Sequence, residues 1–212
     1  MRPVTRADIG WSVTSTEQGR GLKGGAVPIA TRSTSIGSSS SGLVHPEHVA
    51  TVAYPRYMVS DVAGGPGWII RGADLRPAIT DLDTFRAGIA EDPLTKPIEL
   101  LWTGDTDAAL RALGLLEQTP RVRALAADCR RDRGETAVAV QEYDLLVAEC
   151  LGTAREAVMR QHRGKALLAN GEAERAVEDF ERAVELRRTA DPVLRASAEQ
   201  GLAVARARMN TG

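Results

Sequence analysis

The sequence predicts a mostly α-helical protein whose C-terminal part is a helix-turn-helix repeat array, an α-solenoid of about 2.5 units plus a capping helix. Three observations carry this expectation. Helix formers dominate from Asp81 onward, one stretch repeats itself at an offset of 37 residues, and aromatics are only 4% of the chain, so the core must be built from Ala, Leu and Val. Self-similarity at such an offset marks stacked units that cannot bury their apolar faces alone.

The chain divides by composition. Residues 1–42 carry Gly19, Gly21, Gly24, Gly25, Gly37, Gly42 and the run Ser38-Ser39-Ser40-Ser41, which offers too little apolar surface to offset the entropy of ordering. This part reads as a disordered, low-complexity leader. Residues 43–96 read as a small irregular or β-hairpin-containing segment. Within it, HVATVAYPRYMVS and GWIIRG supply two short strands, bounded by Pro55 and by the turn-forming Gly64-Gly65-Pro66-Gly67. An isolated hairpin is marginal in water, so it must pack on the helical remainder.

Helices follow in order. Asp81 or Asp83 caps a first helix running to about Glu91, Pro93 and Pro97 break the chain, and PIELLW opens a short second helix. After Gly104-Asp105, TDAALRALGLLEQ places Ala109, Leu110, Leu113 and Leu116 on one face before Pro120. The repeat domain as a whole spans residues 97–212. Laying RGETAVAVQEYDLLVAE over NGEAERAVEDFERAVEL aligns Gly134 with Gly171, Ala139 with Ala176, and Tyr143 with Phe180. The same offset places Ala127, Gly164 and Gly201 at one repeat position, where small residues imply close helix-to-helix approach.

On these residues the chain resembles the tetratricopeptide repeat family over about residues 97–209. The resemblance places the family's small residue, turn Gly, Ala, aromatic and second Ala on Gly164, Gly171, Ala176, Phe180 and Ala183 of the best unit. The preceding unit offers Ala127, Gly134, Ala139 and Tyr143, with Leu146 in place of the second Ala, and Leu194 to Met209 would cap the array. Two departures stand out. Arg123, Arg160 and Ser197 replace the large apolar residue of the first helix's opening turn, and Leu151 and Arg188 replace the closing proline.

The resemblance implies an interaction module, an adaptor or scaffold, that binds a partner segment along a concave groove. The implied groove residues are Arg121, Asp128, Arg131, Gln161, His162, Lys165, Arg195 and Arg206. A mixed basic and apolar groove suits an acidic or amphipathic segment of another protein, with self-association also open. An alternative, from another class, is a small enzyme or ligand-binding protein with its site between residues 43–103 and the helices, using His45, His48 or Trp68.

Other classes are disfavoured. A formal net charge of -1 draws the chain to neither nucleic acid nor membrane, and two cysteines are too few for a disulfide scaffold, so a cytoplasmic protein is expected. No catalytic residue, cofactor or metal is expected. His45-Pro46-Glu47-His48 lacks the helix that would align two ligands and has no third nearby. Gly19-Arg20-Gly21-Leu22-Lys23-Gly24 matches a dinucleotide string but is not followed by a helix N-terminus.

Overall fold

Capping residues fix where the helices begin. The Asp81 carboxylate accepts from the Thr84 amide and opens α1 (Leu82–Gly88), and Asp105 does the same for the Ala108 amide at the head of α3 (Thr106–Gly114). Between them lies α2 (Thr95–Trp102), with Pro97 tolerated in its first turn. Thr119 and Pro120 start α4 (Pro120–Asp132), which is followed by α5 (Thr136–Cys150), α6 (Glu156–Ala169), α7 (Ala173–Leu186) and α8 (Pro192–Met209). The structure, a computed structural model, describes residues 59–210. Over these residues the protein is mostly helical, with one small sheet. The expected leader of residues 1–42, and most of the expected strand in HVATVAYPRYMVS, lie outside the described residues.

The sheet is a three-stranded antiparallel meander, β1 (Val62–Gly65), β2 (Trp68–Ile70) and β3 (Pro77–Ile79), in the order β1-β2-β3. The expected strand in GWIIRG is β2. The expected glycine turn is shorter than the sequence suggests, because Gly64 and Gly65 belong to β1 and only Pro66-Gly67 turns, with Gly67 at φ 71°. Flat glycines are needed there because the Trp68 ring lies across them: a Cβ on Gly64 would sit 2.1 Å from that ring. Leu75, between β2 and β3, adopts a left-handed φ of 59° yet is 2% exposed. The strain, about 1 kcal/mol at the low end for such residues, is offset by burying a leucine, worth roughly 1.5–3 kcal/mol.

Two apolar clusters form the core. One joins Trp68, Ile70, Phe85, Ile89, Ile98 and Leu101 to Leu113, Val122 and Leu125, so the sheet, α1, α2 and α3 pack on the start of α4. The Trp102 ring stands 4.5 Å from that of Trp68 and 5.3 Å from that of Phe85. The other cluster runs through α4 to α8 around Tyr143 and Phe180, and Leu75 is inserted into it. Each helix from α4 onward packs on the next, and α4 also touches α6, as α6 touches α8.

The self-similar positions do the packing expected of them. Gly134 and Gly171 close α4 and α6 with φ of 85° and 84°. Gly164 and Gly201 receive the two sides of the Phe180 ring, and a Cβ on either would stand 2.8 Å or 2.2 Å from it. The departures from the repeat pattern also have a cause. Arg123 pairs with Glu142 at 2.7 Å, and 37 residues later Arg160 pairs with Asp179 at 3.1 Å. An ion pair between neighbouring helices stands where an apolar contact was expected, and it recurs with the repeat. Several boundaries differ from expectation: α1 ends at Gly88 rather than Glu91, α2 begins two residues before Pro97, and Leu116 falls beyond α3 and is 38% exposed.

Candidate functional site

Five of the eight expected groove residues come together on α4 and α6, buried under the meander. Asp128 is the hub. Its Oδ1 shares the Tyr143 phenol proton, at 2.9 Å, with the Ala124 carbonyl at 2.8 Å, and receives the Arg131 guanidinium at 3.0 Å. Its Oδ2 accepts from His162 Nδ1 at 2.9 Å. Burial opposes ionisation, but the Arg131 and His162 partners outweigh it and hold the Asp128 carboxyl well below the ordinary carboxylate range. An ionised acceptor fixes the His162 proton on Nδ1, and burial lowers the proton affinity of that ring. Arg131 also reaches Asp132 at 2.9 Å, and Arg76, beyond β2, pairs with the same carboxylate at 3.2 Å.

Gln161 turns the opposite way. Its amide donates to Ser197 Oγ on α8 at 2.6 Å, and its carbonyl accepts from Arg187. Arg187 donates as well to the Leu194 carbonyl at 2.9 Å and has no carboxylate partner among the described residues. Burial alone pulls its proton affinity down to about 10.

Lys165 is the least expected member. It is 7% exposed and makes no hydrogen bond or ion pair among the described residues. Desolvation and the neighbouring Arg131 bring its ammonium down to about 8, against the pull of Asp128. Ordinary interiors do not hold an ammonium in this state, because burying a charge without a partner is among the costliest arrangements a fold can contain.

The meander closes over these groups. Gln200 on α8 donates to the Ser60 and Ile70 carbonyls at 2.9 and 3.0 Å, and the Arg76–Asp132 pair holds the other edge to α4. A cavity of about 50 Å³ remains between Trp68, Ile70 and Trp102 above and Asp128, Lys165 and Arg187 below. The other three expected residues lie elsewhere. Arg121 binds Asp92 and ties α4 to the loop before α2, Arg195 pairs with Glu199 on its own helix at 3.5 Å, and Arg206 pairs with Glu181 on α7 at 2.8 Å. None of the three lines the cavity.

Arg187, Ser197 and Trp102 were not foreseen as site residues. Ser197 carried a signal, since a polar residue replaced an apolar one at its repeat position, whereas Arg187 reads simply as the end of a solvated helix. The Cys129 and Cys150 thiols are buried and desolvated, with Cys129 pushed up to about 12, so both stay protonated. Among the described residues no group of three or more His, Cys, Asp and Glu is arranged to hold a metal, and no helix is long and apolar enough to cross a membrane. His45 and His48 lie outside the described residues. No protein-family model, curated protein or solved structure matches this chain.

Proposed function

We propose that this protein is a non-catalytic binding module of tetratricopeptide-like construction, and that its recognition site is the charged face of α4 and α6, with Arg187 at the end of α7, beneath the meander. Its ligand is an anion. The observation that supports this is Lys165, a nearly buried ammonium with no carboxylate or acceptor bonded to it among the described residues, beside Arg187, a second buried cation without a carboxylate among them. A fold that only needed stability would have apolar side chains at both positions, since replacing buried charges by apolar residues of similar size is commonly neutral or stabilising.

The partner-segment reading expected from the sequence needs one change. The sheet already lies across Asp128, Arg131, Gln161 and Lys165, so an extended peptide along all eight groove residues is not the reading that the geometry favours; an enclosed ligand is. The adaptor role, an acidic partner and a cytoplasmic setting stay with this proposal as its biological form. Thermal unfolding of the full chain at constant ionic strength tests it, with a short acidic peptide, inorganic phosphate and short-chain carboxylates as separate additions. A ligand that binds only the native state raises its melting temperature. A saturable rise with at least one anion, absent from Lys165→Met, is expected; no rise with any of them overturns the proposal.

A further inference from the structure

The cavity under the meander sets three conditions on an occupant. The first is charge. Among the described residues Lys165 and Arg187 line it without carboxylate partners, while the one carboxylate that lines it, Asp128, is fully engaged by Tyr143, Arg131 and His162. The Trp68 indole N–H, in a side chain on the same wall, is buried with no acceptor among the described residues. Donors and positive charge are therefore in surplus.

The second condition is polarity. Trp68, Ile70, Trp102, Val158 and Leu194 make the lining mostly apolar. A phosphate would turn further oxygens toward hydrocarbon and lose their hydration without replacement, whereas a carboxylate needs only one polar end. The third is size. About 50 Å³ is several times the roughly 10–15 Å³ that holds one water, so it admits a ligand of a few non-hydrogen atoms.

We infer that this cavity binds a small aliphatic carboxylic acid as its anion, the carboxylate between Lys165 and Arg187 and the short hydrocarbon part against Trp68, Ile70 and Trp102. The inference rests on the anion-binding proposal above and names the ligand class for that same site. Two of the chain's three tryptophans line the cavity, so intrinsic fluorescence reports occupancy directly.

The test is a fluorescence and calorimetric titration of the full chain with sodium propionate at constant ionic strength. Propionamide, inorganic phosphate and a short acidic peptide form the comparison arms. Propionate is expected to saturate with a Kd on the order of a millimolar, as the small number of contact atoms allows, and propionamide to give no response. Lys165→Met and, independently, Arg187→Met each weaken propionate at least tenfold while keeping a cooperative melt. Arg195→Ala, on an exposed stretch of α8, titrates as the parent.

Equal responses to propionate and propionamide overturn the inference, as does a Lys165→Met chain that binds like the parent. Binding of phosphate or the acidic peptide without propionate overturns the carboxylic-acid assignment and leaves the anion-binding proposal standing. Silence in all four arms removes both.

Discussion

Replacing Lys165 by methionine keeps the length and most of the volume of the side chain and removes its charge. Burial beside Arg131 holds the ammonium at about 8 where 10.5 is ordinary. At about 1.4 kcal/mol per tenfold change in proton affinity, the charged form costs the fold about 3 kcal/mol at neutral pH. The sign follows from proton counting. Below pH 8 both folded and unfolded chains carry the proton, and the cost is present in full. Between 8 and 10.5 the unfolded chain holds more protons than the native one, so parental stability rises with pH and the cost fades. Lys165→Met is therefore expected to be more stable than the parent by about 3 kcal/mol at pH 7, or roughly 6–12 °C in Tm for a folded part of this size. The gain should shrink steadily toward pH 10.5. Parallel thermal melts of the two chains by circular dichroism, from pH 6 to pH 10.5, measure it. A variant less stable than the parent at pH 7 refutes the reasoning, and so does a gain that stays constant across the range, since that would come from methionine packing rather than from the lost charge.

Two further outcomes follow from the same interior. Gly201→Ala, in an exposed helix, would gain about 1 kcal/mol from helix propensity; here its Cβ would meet the Phe180 ring at 2.2 Å, and a loss of about 1–3 kcal/mol in urea denaturation is expected instead, partly restored by adding Phe180→Leu. Asp128→Asn removes the buried negative charge that faces Arg131 and His162 and turns one of the two acceptor oxygens into a donor, and should cost about 3–5 kcal/mol at pH 7. Because the Asp128 carboxyl is held below its ordinary 3.8, that difference should be flat above about pH 5 and diminish as pH falls below 3.8; a urea-denaturation penalty independent of pH would contradict the ion-pair account.

The helical part was readable because its signals are local. Gly134 and Gly171 mark turns that sit within a few residues of the helices they end, and the small residues at 164 and 201 declare where neighbours cross. The sheet was readable only at β2. Strands of three and four residues containing Gly64, Gly65 and Pro77 carry no alternation to detect, and their pairing depends on Trp68 lying across the glycines. The site was half legible. Polar residues spaced along α4 and α6 marked side chains that the structure brings together, but a polar stripe looks the same whether it meets water or a covering sheet. What buries it is Gln200 reaching back to Ser60 and Ile70, well over a hundred residues earlier in the chain. The role of Arg187 was invisible for the same reason, since its partner Gln161 is a turn and a helix away.

Phe180, held between Gly164 and Gly201, has a consequence for how much the chain can vary. With no side chain on either glycine, the separation of α6 from α8 is gauged by one aromatic ring and not by the length of the connections. The exposed residues between Arg187 and Asp191, Arg188 to Ala190, therefore act as slack. Residues inserted there should leave the helix spacing, and the cavity that depends on it, unaltered, whereas a single methyl group at either glycine pushes the walls of the cavity apart.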